Sequence, residues 1–296
     1  MYSRRDFLAT AAAGSGLTTL GSLVAQSPIE RVGGPKVKIS LNAYSFNRAL
    51  SDGTMSLDEL LEYSAKVGFK AVDLTAYYFP GYPEPPEDEF VNHIKKKAYL
   101  LGLDISGTGV RTDFTSSDPQ KLAAAIDHVA VWSEVACKLG APSLRIFAGS
   151  EVQDRETALP RVVDSIRKCT ELGRQQGVVM VIQNHFHFLK TPDQILEVLR
   201  LVDSPWLAVH LDVGSLRSRD PYQEISIVAP YAATWQIKET VYFEERETSI
   251  DLEKIAKILR EAAFRGYILV ETLGEGDPKV KVEEFYQQVK AAVDTI

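Results

Sequence analysis

Cysteine and histidine are scarce in this chain, and basic residues are outnumbered by acidic ones, 33 to 40. Two cysteines in 296 residues, Cys137 and Cys169, exclude a disulfide-built scaffold. Both stand in helical patterns, away from polar residues that would mark a nucleophile, and they read as free buried thiols. Five histidines are too few for a histidine-rich centre of several zinc ions. A formal net charge of −7, without basic clusters interleaved with aromatics, argues against a nucleic-acid partner, whose phosphates would be repelled. The opening 25 residues lack the long Leu/Ile/Val stretch that a stable membrane span needs. A glycine-rich turn after the first strand-like run is missing too. Asn42-Ala-Tyr-Ser stands there, so an open doubly wound sheet lacks its usual signature.

What is present begins with an address. Ser3-Arg4-Arg5-Asp6-Phe7-Leu8 is followed by an Ala/Gly/Thr-rich run to Ala25, a charged start and a weak apolar centre that read as an export signal. The paired arginines before Phe-Leu resemble the twin-arginine type, which implies folding before export and a periplasmic mature protein. Leu23 departs from the small-x-small rule for cleavage after Ala25. Residues 1–25 are thus assigned to the signal and 26–35 to a Pro/Gly-rich linker.

From residue 36 to 296 the pattern cycles. Short β-rich runs at Lys36–Phe46, Ala71–Ala76, Asp104–Val110, Ser143–Gly149, Val178–His185, Leu207–Val213, Thr234–Thr240 and Tyr267–Thr272 each precede a helical pattern. Ser56 with Glu59 three residues on forms a capping box, and Thr191-Pro-Asp starts another helix. Gly68, Gly102, Gly140, Gly177 and Gly266 are placed to end helices. Eight such units without an internal boundary predict one α/β domain, a (β/α)8 TIM barrel. A charged loop is expected over Val241–Ser249.

In such a barrel the strand ends point into one bowl at the C-terminal mouth. Alternation along each strand places Gln183 and His185 on one face, His210 and Asp212 on another, then Thr234, Gln236 and Lys238, and finally Leu269 and Glu271. Isolated buried carboxylates are costly, so Asp212 and Glu271 in one barrel mouth point to a site. Lys238 needs an anionic partner, and Glu271 or a substrate would serve. His210 lies deeper and reads as a core histidine. His185 and His187 could be ligands, but hydrogen-bonded histidines beside the site fit better. Arg145 faces inward on the fourth strand, toward a ligand anion or a neighbour such as Asp73, with the pairing preferred.

The phrases Gly68-Phe-Lys-Ala-Val-Asp73-Leu, Gln183-Asn-His185, Leu211-Asp212-Val-Gly214, Gln236-Ile-Lys238-Glu239 and Gly266-Tyr-Ile-Leu-Val-Glu271 resemble the xylose-isomerase-like TIM-barrel proteins, the sugar phosphate isomerase/epimerase group. That resemblance implies one divalent cation, Mn or Mg, held by a glutamate, an aspartate, a histidine and a glutamate, with the two glutamates exchanging protons. Here those positions are Gln183, Asp212, Gln236 and Glu271, so two carboxylates are kept and two ligands have become amides. A further histidine of the pattern falls on Ser215. Amide oxygens can still ligate a hard cation, in a weakened site, but a glutamine cannot act as general base. Glu271 remains as base, with Lys238 or His185 as the other acid/base group or Lys238 steadying an enolate. Gln183, His187 and Arg145 are the expected substrate contacts.

The function this implies is sugar isomerase/epimerase-like chemistry by proton abstraction beside a carbonyl. A keto-glycoside lyase or hydratase, or a non-catalytic carbohydrate-binding barrel, are the alternatives. An endonuclease-like phosphodiesterase is disfavoured by the histidine count and the charge. The implied partner is a small carbohydrate, and homo-oligomerisation is left open.

Overall fold

A computed structural model describes residues 27–150, 152, 154–185 and 188–296. The expected export signal, residues 1–25, lies outside the described residues, as does His187. Eight parallel strands close into a barrel: β1 (Lys36–Asn42), β2 (Ala71–Thr75), β3 (Asp104–Gly109), β4 (Ser143–Phe147), β5 (Val179–Gln183), β6 (Leu207–Asp212), β7 (Ala232–Lys238) and, last in the chain, β10 (Arg265–Glu271). Around the ring they run β1-β10-β7-β6-β5-β4-β3-β2. The fold is therefore the (β/α)8 barrel that the alternating pattern predicts.

Helices cover the outside: α1 (Asn47–Ser51), α2 (Leu57–Val67), α3 (Asp88–Leu100), α4 (Pro119–Leu139), α5 (Arg155–Gln176), α6 (Pro192–Val202), α7 (Pro221–Val228), α8 (Leu252–Glu261) and α9 (Pro278–Val293). Their ends follow local chemistry. Ser56 accepts the Glu59 backbone N–H while the Glu59 carboxylate accepts the N–H of Ser56, completing the capping box at α2. Gly68, Gly140 and Gly177 close α2, α4 and α5 in the left-handed conformation. Gly266 does not end a helix; it lies inside β10. Apart from the short α1, each helix buries one stripe against the barrel. In α8 the stripe is Ile255, Ala256, Ile258 and Leu259, and truncating one of its large members to alanine would cost about 2–5 kcal/mol. Among the described residues no helix is long and apolar enough to cross a membrane.

Three local expectations are corrected: the end of the first strand, the charged loop and the burial of Cys137. The first strand stops at Asn42, whose side chain accepts the Tyr44 N–H at 3.0 Å and turns the chain into a short 3-10 segment. The expected charged loop is instead an antiparallel hairpin, β8 (Thr240–Phe243) with β9 (Arg246–Ser249). The linker is docked on the barrel: Ile29 donates its N–H to the Pro230 carbonyl at 2.9 Å, and Arg31 reaches the Ala232 carbonyl at 2.7 Å. Both cysteines are free, but only Cys169 is buried; Cys137 is exposed.

The barrel interior is polar as well as packed. Ser40 on β1 meets Ser106 on β3, two strands away, at 2.7 Å, a contact possible only across the inside of the ring. Above that level the register sets the site. Glu271 is paired with Lys238, Asp212 with Gln236, and Gln183 with His210 on neighbouring strands.

Candidate active site

The four polar strand ends do converge, and Lys238 is at their centre. Its ammonium donates to Asp212 Oδ2 at 2.8 Å and lies 3.4 Å from Glu271 Oε2. Asp212, fully buried, also accepts from Ser215 Oγ (2.8 Å), Gln183 Nε2 (2.9 Å) and the Gly214 N–H (3.1 Å). Asn184 clamps the same strand end, accepting the Asp212 N–H at 2.7 Å and donating to its carbonyl at 2.9 Å. These bonds replace the ladder where β5 and β6 run out.

A chain of donors fixes which way the amides face. The backbone N–H of Tyr44 can only donate, so Asn42 Oδ1 is the acceptor and Asn42 Nδ2 is left to donate to Gln236 Oε1 at 2.9 Å. Gln236 Nε2 must then donate to Glu271 Oε2, at 2.9 Å. His210 completes the set, its Nε2 3.0 Å from Gln236 Oε1 and its Nδ1 2.8 Å from the Thr234 hydroxyl. Burial holds His210 down at about pKa 4, so it is a neutral imidazole with its hydrogen on Nε2. It acts as a buried support, as its depth on the strand implies.

The charges follow from these contacts. Burial alone would push Asp212 up, yet Lys238, Ser215 and Gln183 hold it below the usual carboxylate range. Glu271 is held above its ordinary value by burial, against the pull of Lys238. Lys238 would fall on burial, but the fields of Asp212 and Glu271 outweigh that and push it up. A lysine so placed stays charged. Holding its proton, it suits the steadying of developing negative charge better than the work of a base.

The expected metal ligands, Asp212, Glu271, Gln183 and Gln236, do not fit a divalent cation as they stand. Gln183 and Gln236 turn N–H groups, not oxygens, toward the carboxylates, and the Lys238 ammonium occupies the space between Asp212 and Glu271. Presenting the Gln236 oxygen would break its bonds to Asn42, His210 and Glu271 together. Among the described residues no group of three or more His, Cys, Asp or Glu is placed to hold a metal.

These residues open onto a cavity of about 480 Å³ at the barrel mouth, a size suited to a small molecule. Gln183, His185, Gln236, Lys238, Glu271 and Arg145 all line it. The His185 ring packs edge-on against Phe147, centroids 5.3 Å apart. Glu271 Oε1 and Gln183 Oε1 have no hydrogen-bond partner among the described residues, leaving two acceptors for a ligand. Arg145 does not pair directly with Asp73. Its guanidinium donates to the Tyr77 hydroxyl and the Val110 carbonyl, both at 2.9 Å. Sequence reasoning missed Asn42, although its inward position two residues beyond Ser40 was a usable signal. It also missed Tyr77, in a short 3-10 turn after β2, and Arg111 and Thr112, on a loop without periodicity.

No curated protein matches the sequence. Among solved structures the barrel is similar to D-psicose 3-epimerase from Clostridium cellulolyticum H10 (TM-score 0.73, 15% identity, covering 86% of this chain and 99% of that one). It is also similar to an L-ribulose 3-epimerase (0.71, 16%, 88% and 95%) and to 3-keto-D-glucoside 4-epimerase YcjR from E. coli (0.68, 12%, 86% and 100%). At such identities the likeness is one of fold. The sequence profile of the xylose isomerase-like TIM barrel matches residues 61–291, most of the chain, and this protein therefore belongs to that family.

Proposed function

We propose that this protein is a sugar isomerase/epimerase-like enzyme that removes a proton from carbon beside a carbonyl. The observation that carries the reading is the pairing, on one cavity wall, of a buried carboxylate held above its usual pKa with an ammonium that stays charged. Simple sugar binding would not need that arrangement, whereas enolisation does. Glu271 Oε1 takes the proton. The electron pair of the broken C–H bond moves onto the carbonyl oxygen, where the Lys238 ammonium stabilises the enolate. Glu271 keeps that proton while His185, on the cavity wall, is assigned to donate a different one to the opposite face of the same carbon, which is epimerisation; alternatively Glu271 returns its proton to the neighbouring carbon as the hydroxyl proton passes between the two oxygens, which is isomerisation. Gln183 Oε1 accepts a substrate hydroxyl and sets the sugar's register. The family and the epimerases sharing the fold support a carbohydrate substrate. Within this reading the twin-arginine-like segment sends the folded enzyme to the periplasm.

The test is deuterium uptake from D2O into a panel of keto-sugars, followed by NMR. Exchange into at least one sugar is expected, falling at least about 100-fold in Glu271→Gln. If the protein binds sugars but no sugar exchanges, the barrel is a binding module and the proposal fails.

A further inference from the structure

The cavity wall opposite Glu271 carries a second cluster of charge that proton abstraction does not use. In the ring order β4 lies diametrically across from β10, and β3 across from β7. Arg145 on β4 therefore faces Glu271 over the mouth, and Arg111, just after β3, faces Lys238. Both guanidiniums flank one aromatic ring. Arg111 lies 4.5 Å from the Tyr77 centroid and Arg145 5.5 Å from it, which keeps the two cationic carbons within about 10 Å of each other. Arg145 is also stacked at 4.3 Å on Phe147.

Arg145 is built in rather than incidental. A Cβ at Gly109 would come within 2.7 Å of its Nε, so this strand end accepts the guanidinium only because a glycine stands there. Its distant counter-charges are Asp73, inside the barrel, and Glu271 across the mouth. Arg111 has none: no ion pair or side-chain hydrogen bond reaches its guanidinium among the described residues. The nearby Asp113 is engaged by Thr115 and Ser150. Two like charges held together on a cavity wall, one without a partner, are unfavourable until an anion joins them. The Tyr77 hydroxyl accepts from Arg145, and its own hydrogen has no acceptor among the described residues, so it adds a neutral donor beside the two forks.

We infer that Arg111, Arg145 and Tyr77 form a carboxylate subsite, and that the substrate class is an acidic sugar whose carboxylate lies across the mouth from the carbon that Glu271 deprotonates. Planar guanidiniums match a carboxylate by paired N–H···O bonds, and the ring faces of Tyr77 and Phe147 keep both forks pre-oriented. This deepens the proposed function, since it takes the same cavity as the substrate site.

The probes are hexuronates of gluco, galacto and manno configuration, each beside the neutral hexose of that configuration, with glucose 6-phosphate as the phosphate arm. Binding is measured by calorimetry on the purified protein. At least one uronate is expected to bind 10-fold or more tightly than its hexose. The preference should shrink about 10-fold in Arg111→Ala, an exposed position that leaves the barrel intact, and in Arg145→Lys, which keeps charge but loses the fork. Equal affinity for acid and neutral sugar, a preference that survives Arg111→Ala, or tighter binding of the phosphate than of every uronate would each overturn the inference. Arg111-dependent uronate binding without deuterium exchange would remove the proposed chemistry and leave this subsite standing. Glu271-dependent exchange into neutral sugars alone would do the reverse.

Discussion

Lys238→Met tests the central feature of the site, a lysine ammonium between two buried carboxylates. The methionine keeps most of the volume and removes the charge. Asp212 would keep Ser215, Gln183, the Gly214 N–H and a longer bond from Gln236, while Glu271 would keep Gln236 alone among the described residues. Breaking a buried pair by removing one partner costs about 3–5 kcal/mol. The Lys238 side chain is 18% exposed, so solvent screens little of that and about 3 kcal/mol is expected at pH 8. In a barrel of this size the loss corresponds to a Tm lower by roughly 6–12 °C.

The pH dependence gives the sharper check. Glu271 is already held above its ordinary value, so the folded state binds its proton more readily than the unfolded chain. Stability therefore falls as pH rises from the ordinary glutamate range through the folded value. Without Lys238 that folded value rises further, and the penalty extends over a wider range. The variant should lie closest to wild type near pH 5 and furthest from it at pH 8, as read by urea denaturation across that interval. Lys238→Arg should retain most of the stability. A loss below about 1 kcal/mol at pH 8, or one that does not change between pH 5 and 8, would show that the ammonium does not hold these carboxylates.

Two further outcomes follow from buried titratable groups. Burial pushes Asp73 up to about 6, against the opposing charge of Arg145, so its contribution to stability declines as pH rises from about 4 through 6. Asp73→Asn should accordingly stabilise the protein by about 1–3 kcal/mol at pH 8 and hardly at all near pH 4; an equal effect at both values would refute the assignment. The two thiols should separate cleanly, because Cys137 is exposed whereas Cys169 is buried with its thiol pushed up to about 12. A thiol reagent should label one cysteine per native chain and two after denaturation, and labelling of Cys169 in the native protein would contradict the packing around α5.

The order of β-rich and helical patterns was enough to specify the barrel, because period-2 and period-3.6 burial are local properties and each unit carried its own caps, such as Ser56 with Glu59. The same alternation put Gln183, Asp212, Gln236, Lys238 and Glu271 on inward faces. Sequence could go no further with them, since a residue type does not say which end of an amide faces its neighbour. That was decided by Asn42 and His210, from strands distant in the chain, which take the oxygen of Gln236 and leave its N–H groups for Glu271. The barrel's closure likewise sets Lys238 between the two carboxylates. It also sets Arg145 and the loop residue Arg111 across the mouth from them. Such relations depend on shear and register around a closed ring of strands, and no stretch of sequence contains them.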